Sequence, residues 1–315
     1  MSKEIKMNKK SGSVGLDEAF KEFKQYSKAK NLSNSTINYY EYNYSRFKKF
    51  LKRKNIEYIN EVDYKVVQNF TLYLNNNIEN GISVNTILRA IRAFLYYCMK
   101  LDYIDDFKVE MIKAKKKVKE TYSDSELELL LKKPDINNCS FSEYRNWVII
   151  NYLLSTGNRV GTVINLKIED LDFDNGHIHL KTTKNKKEQI IPLSKSMNKI
   201  FQEYLMYRKG ESNSYVFPTI HNNKLTKAGL RTAIKRYNKN RGVNKTSLHL
   251  FRHTFAKKWV LAGGDIFRLQ KILGHSSMDV VREYVNMFSN DLKNNFDKYN
   301  PLEQFTNTGD YIRME

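Results

Sequence analysis

The sequence predicts a mainly α-helical protein with one small β hairpin, divided into two domains. Three observations lead there. Apolar residues recur at intervals of three and four through the first hundred positions, the period of helices that bury one face. A lysine-rich stretch, Lys113-Ala-Lys115-Lys116-Lys117-Val-Lys119, interrupts that pattern. Beyond it, two short β-prone runs flank a polar turn, with helical segments on either side. The 315 residues suffice for two ordinary domains, and a hydrophobic fraction of 41% supports packed cores without covalent staples.

Four helices account for the first domain. Leu16, Ala19, Phe20, Phe23 and Tyr26 mark one stripe, and Ile37, Tyr40, Tyr44, Phe47 and Leu51 a second. Val66, Phe70 and Leu74 mark a third, and Val84, Ile87, Ile91, Phe94 and Cys98 a fourth. Such stripes bury against one another in a small bundle. The outer faces carry Lys21, Lys24, Lys28, Lys48, Lys49, Lys52, Arg53, Lys54, Arg89 and Arg92. Solvation alone and contact with a polyanion both fit that surface. The expected boundaries are a flexible basic N-terminus over 1–14, a helical domain over 15–112, a basic linker over 113–120, a second domain over 121–288 and a tail over 289–315.

The second domain opens on Ser123-Asp-Ser-Glu126, a capping box in which hydroxyl and carboxylate reciprocally satisfy two free backbone N–H groups. A buried helix over residues 144 to 155 should stop near Gly157, which can take the left-handed cap conformation. The runs His177-Ile-His-Leu180 and Gln189-Ile-Ile-Pro-Leu193 form the hairpin, with Pro192 confining the second run to an edge or strand end. Helices follow over residues 196–207, 227–238, 249–261 and 265–273.

Lysine and arginine number 54 against 34 acidic residues, a net charge of +20. That excess favours a polyanionic partner, nucleic acid or an anionic membrane surface. No apolar run approaches the roughly 20 residues that span a bilayer. Nor does an apolar segment follow the basic Met1–Lys10, so no secretory signal is expected. The two cysteines, Cys98 and Cys139, are not spaced as a metal or redox pair, and a reducing cytoplasm is the simplest compartment. Lys115, Lys116 and Lys117 could repel one another into an extended linker, or strap onto a DNA backbone. Arg231, Lys235 and Lys239 share one face of a helix and are candidate phosphate contacts, with a solvated face as the plainer reading.

The chemistry concentrates in a few positions. Arg159 follows a helix stop in Thr156-Gly157-Asn158-Arg159, although alone it could cap a helix or pair with Glu169. His249 and Arg252 stand three apart on one helical face. Guanidinium groups are planar, permanently charged and suited to both non-bridging oxygens of a phosphate. Leu273-Gly274-His275 precedes Tyr284 by nine positions from the histidine. A phenol at neutral pH is ionised only about once in a thousand, so Tyr284 needs a base or a strong cationic field to attack phosphorus. His249 is the candidate base or proton relay, and His275 a group that orients phosphate or phenol. Lys184, on the hairpin turn, is a candidate proton donor to a leaving oxygen. With 21 tyrosines in the chain, spacing alone distinguishes Tyr284. Two other constellations fail. Asp170, Asp172 and Asp174 begin like a calcium loop, but its sixth and twelfth positions hold Asn175 and Lys181. His177 and His179 share a strand face without a third ligand and read as solvated.

Taken together, Ser155-Thr-Gly-Asn-Arg159, Lys184 eight residues before Pro192, His249-x-x-Arg252, Leu-Gly-His275 and Tyr284 resemble the tyrosine recombinase or phage integrase family. The pattern Ser35-Thr36…Tyr40…Phe47…Phe50-Leu51 is similar to the family's core-binding domain, and the resemblance spans about residues 16 to 300. It implies a helical, SAM-like core-binding domain and an α/β catalytic domain closing as a C-shaped clamp on duplex DNA. It also implies simple-site enzymes of the Xer or transposon-borne type. Two departures stand out: Asn158 where many members have Leu, and Thr162 where many have a structural Glu, which implies a repacked helix and retained activity.

The resemblance implies that Tyr284 attacks a scissile phosphate to give a 3′-phosphotyrosyl link and a free 5′-hydroxyl. Strands then exchange through a Holliday junction without metal, ATP or other cofactor. The implied partner is double-stranded DNA with inverted-repeat core sites, bound by a homotetramer on two sites. The free protein is expected as a monomer or weak dimer, nucleoid-associated when on DNA, with the tail 289–315 docking on a neighbour. Integration and excision of a mobile element is the expected role. Xer-like dimer resolution, an inactive DNA-binding accessory protein and a type IB topoisomerase are the alternatives.

Overall fold

The computed structural model describes residues 14–114, 120–181 and 188–274, together with 277, 278, 282 and 284. Its first four helices are Leu16–Ala29 (α1), Asn34–Lys52 (α2), Tyr64–Asn77 (α3) and Gly81–Lys100 (α4). Three have side-chain caps of the kind that fix a helix start. Ser33 accepts from the Thr36 N–H, Asp63 from the Val66 N–H and Asn80 from the Ile82 N–H. The apolar stripes meet in one core around Phe20, Phe47, Phe70, Leu88 and Phe94, with the Phe20 and Tyr44 rings stacked at 3.8 Å. Cys98 is fully buried there, as the stripe predicts, and burial pushes its thiol up to about 12.

The charged face of this bundle is more self-satisfied than the sequence indicates. Lys24 pairs with Glu41, Lys48 with Asp17, and the Arg53 guanidinium lies over the Tyr73 ring. Arg89 and Arg92 make no ion pair with a described carboxylate. Arg89 is exposed on α4 with Tyr39 of α2 inside its field.

The chain divides into two compact units, residues 1–117 and 118–315. The second contains Asp124–Leu131 (α5), Phe141–Thr156 (α6) and the single turn Val160–Val163 (α7). The Ser123–Glu126 capping box forms. Helix α6 begins three residues before the expected Tyr144, because Ser140 caps it by accepting from the Glu143 N–H. A three-stranded antiparallel sheet follows, in the order β1 (Leu171–Asp172), β2 (His177–Leu180), β3 (Gln189–Pro192). Its register pairs His177 with Pro192 and Leu180 with Gln189, which leaves the proline at an edge. The strand β1 is too short to leave a period in the sequence. Helices Lys195–Arg208 (α8), Lys227–Asn240 (α9), Leu248–Leu261 (α10) and Ile266–Leu273 (α11) complete the unit.

Helix α6 is buried nearly all round, and the core forms about it from Leu130, Val148, Leu153, Phe201, Phe217, Leu230, Ile234 and Phe251. The position where the resemblance leads one to expect Leu is polar and buried. The Asn158 amide donates to the Tyr152 hydroxyl at 2.7 Å, and both side chains are enclosed. An apolar contact is thus replaced by a satisfied buried hydrogen bond.

Gly157 ends α6 with φ +62°, and a Cβ there would stand 2.6 Å from Leu273 Cδ2 and Phe255 Cδ1. Conformation and close packing both require glycine. Gly157→Ala should lower unfolding stability by at least about 1–2 kcal/mol, the left-handed cost alone, read as an earlier urea midpoint at unchanged slope.

Candidate active site

The site is built at the ends of three helices. Gly157 terminates α6 and turns the chain so that Arg159 stands just before α7. Arg252 and its neighbours project from α10, and α11 stops at Gly274, again left-handed at φ +62°. A helix C-terminus presents unpaired carbonyls and partial negative charge. Here those carbonyls face arginines.

Leu273 O accepts from Arg252 Nη2 at 2.8 Å and from Arg159 Nη1 at 3.3 Å. Gly274 O accepts from Arg159 at 3.4 Å, and Gly157 O from Arg252 Nη1 at 2.8 Å. Two further carbonyls of that last turn accept from Gln189 of β3, whose amide donates to Ile272 O at 3.0 Å and to Lys271 O. The guanidiniums are therefore fixed before any anion arrives. Arg252 is almost wholly buried and is pushed down to about 10, first by burial and then by the adjacent Arg159 charge. Arg159 is lowered by burial and raised by Tyr284. Arg159 does not pair with Glu169, which joins Lys181 at 3.0 Å and Lys167 at 3.9 Å; its side chain turns instead to the α11 carbonyls.

Tyr284 is brought to this pair within the same chain. Its ring is 1% exposed, packed with Ala256, Leu269 and Leu273 and flanked by Phe255, Trp259 and Met278. Its hydroxyl acts electrostatically on the Arg252 guanidinium, and its charge is felt by Arg159. On another side, the hydroxyl lies 2.8 Å from His253 Nδ1.

His249 is exposed at the start of α10, and its imidazole is held below the ordinary value. Loss of water on its protein-facing side is the largest cause, followed by the charges of Arg231, Arg252 and Arg159. The ring is thus kept neutral near pH 7, and Arg231 of α9 lies within the field of the site. Lys235 and Lys239 are exposed further along α9. Lys184 and His275 fall outside the described residues, as do Lys115, Lys116, Lys117 and the tail 289–315.

Sequence reasoning missed two contributors. His253 lies four residues after His249, one helical turn along the same side of α10, and that spacing was the available signal. Gln189 left none, because its partners are more than 80 residues away. Among the described residues, no group of three His, Cys, Asp or Glu side chains is placed to hold a metal ion. His179 leans on Asp172 at 3.9 Å, and no described helix is long and apolar enough to cross a membrane.

The comparisons with known proteins fit this arrangement. A model of the phage integrase family matches residues 120–291, more than half of the chain. The chain belongs to the phage integrase family. Members of this tyrosine recombinase family are enzymes that cleave and rejoin DNA. In this integrase, residues 20–100 match the family's N-terminal SAM-like domain, so the helical bundle precedes a catalytic domain, as expected. Tyrosine recombinase XerD of Staphylococcus epidermidis is 26% identical over 281 residues, 86% of this chain and 94% of its own. Tyrosine recombinase XerC of Leptospira interrogans is 28% identical over 297 residues, 92% and 95% of the respective chains. The integrase also shares the fold of the Tn1549 transposon integrase in complex with a circular intermediate DNA. That match has a TM-score of 0.67 at 20% identity, over 89% of this chain and 99% of that one. A lambda integrase tetramer bound to a Holliday junction gives 0.69 at 16% identity, over 87% and 78%.

Gln189→Ala should expose the cost of uncapping α11. With one exposed and one part-buried carbonyl losing a donor, a loss of about 0.5–1.5 kcal/mol is expected, with faster amide exchange in residues 266–274. Unchanged exchange there would show that the amide is dispensable.

Proposed function

We propose that this integrase is a site-specific recombinase in which Tyr284 is the nucleophile, acting in cis with Arg159 and Arg252. The observation that carries the reading is the Tyr284 hydroxyl resting against a buried arginine that shares a carbonyl with a second one. The two guanidiniums bind the non-bridging oxygens of the scissile phosphate and stabilise charge as it grows on them. His249, kept neutral, hydrogen-bonds to the same phosphate. His275 orients it, and Lys184 on the hairpin protonates the departing 5′-oxygen. The product is a 3′-phosphotyrosyl link that conserves the energy of the phosphodiester. Attack by a partner's 5′-hydroxyl then exchanges strands through a Holliday junction.

The DNA is duplex, with inverted-repeat core sites, and four protomers act on two sites in the cytoplasm. Arg89 and Arg92 of the first domain, the linker lysines Lys115, Lys116 and Lys117, and Arg231, Lys235 and Lys239 of α9 contact its backbone. The tail 289–315 docks on a neighbouring protomer. The biological role is integration and excision of a mobile element. In support, this chain is about equally distant from relatives called XerD, at 26–27%, and XerC, at 27–28%. It thus sides with neither member of that pair.

A nicked suicide substrate tests the chemistry. Wild type should accumulate covalent protein–DNA adduct; Tyr284→Phe should bind equally and form none. Arg159→Ala should slow adduct formation about 10²- to 10³-fold, the usual effect of losing one charge-stabilising donor. An adduct that persists in Tyr284→Phe would defeat the assignment. The role is read by amplifying across the ends of the DNA that carries the coding region: an excised circle junction, lost in Tyr284→Phe, is expected. Recombination confined to a chromosomal dimer-resolution site would overturn it.

Backbone contact by α9 is read from salt dependence. Lys235→Ala should weaken binding to all sequences alike and reduce the slope of log affinity against log salt by about 1. An effect confined to one base position contradicts a phosphate contact.

A further inference from the structure

The Tyr284 oxygen sits between a cation and an imidazole, Arg252 on one side and His253 Nδ1 at 2.8 Å on another. A guanidinium can only donate hydrogen bonds. Arg252 therefore cannot take the phenol's proton, which is left for a group that can accept. Nδ1 of a neutral imidazole protonated at Nε2 is such a group, and 2.8 Å lies within the reach required of a general base. The geometry is constrained from both ends. Helix α10 carries His253 immediately after the anchored Arg252, while the Tyr284 ring is enclosed by α10 and α11 with its centroid 5.7 Å from the imidazole. His249, to which the sequence points for this task, is exposed, is surrounded by the charges of three arginines and makes no hydrogen bond to the phenol.

We propose that His253 is a catalytic residue of DNA cleavage, its Nδ1 receiving the phenolic proton as Tyr284 attacks. The inference rests on Tyr284 being the nucleophile, as proposed above, and adds the base that activates it. In the step, the bond from Tyr284 Oη to phosphorus forms and the P–O5′ bond breaks. The electron pair departs on O5′, which takes a proton from Lys184, and the phenol's proton passes to His253. In rejoining, a 5′-hydroxyl attacks phosphorus and returns its proton to the lysine. The departing tyrosine oxygen recovers its proton from His253. Cleavage and rejoining together leave both groups as they began.

Single-turnover cleavage of the suicide substrate separates the possibilities. Each variant is compared on two DNAs, one with the natural 5′-oxygen at the scissile bond and one with sulfur in its place. A thiolate leaves without protonation. His253→Ala should be slower by at least about 10²-fold on both DNAs, within the range for loss of a general base. Lys184→Ala should be slow on the oxygen DNA alone. His253→Asn keeps an acceptor near the Nδ1 position but cannot take a proton, so it should be as slow as His253→Ala. Wild-type melting and DNA affinity for His253→Asn establish that the fold is intact. Cleavage by His253→Asn at near the wild-type rate would reduce His253 to a positioning role and overturn the proposal, as would rescue of His253→Ala by the sulfur DNA. Wild type that forms no Tyr284 adduct would instead remove the nucleophile itself, a separate failure.

Discussion

The carbonyl end of α11 organises the catalytic domain. Leu273 O accepts from two arginines that enter from different parts of the chain, and Gly274 O and Gly157 O secure their other donors. Two like charges brought this close repel, and burial adds a desolvation cost. The fold offsets that cost with fixed dipoles, by ending one helix at Gly157 and another at Gly274 so that their free carbonyls converge. The result is a rigid cationic pair whose geometry is set before DNA binds, the kind of preorganisation that makes charge stabilisation effective in phosphoryl chemistry.

The same convergence explains the placement of elements otherwise remote from the chemistry. The β3 strand reaches α11 through Gln189, so the β2–β3 pair is tied to the helix end that holds the arginines. Helix α9 lies near enough for Arg231 to act on His249. The Tyr284 ring fills the apolar cleft between α10 and α11, so one side chain both packs that cleft and places a phenol beside His253.

Much of this was legible in the sequence. Regular periods disclosed the long helices, because a buried stripe leaves a repeat, and Gly157 announced a helix end that proved left-handed. The co-location of Arg159, Arg252 and Tyr284 followed from motif order and a family resemblance, since periodicity alone cannot bring residue 159 to residue 273. What escaped was tertiary. Asn158 reads as a lost apolar contact until Tyr152 is seen beneath it. Gln189, named only as the start of a β-prone run, gives no sign of the helix end it meets, and Lys24 and Lys48 read as surface cations until Glu41 and Asp17 are found opposite them. Each of these depends on a partner far along the chain, and a polar residue's composition does not say which partner it meets.

Neither arginine is held by its own helix. Arg252 needs the carbonyl of Gly157, 95 residues earlier, and that of Leu273, 21 residues later; Arg159 needs the same turn 114 residues on. Under the proposed chemistry, a nascent or partly unfolded chain has the phenol but lacks the field that would make it reactive. Strand breakage is thereby reserved for molecules that have finished folding, and damaged copies of the enzyme pose little hazard to the genome around them.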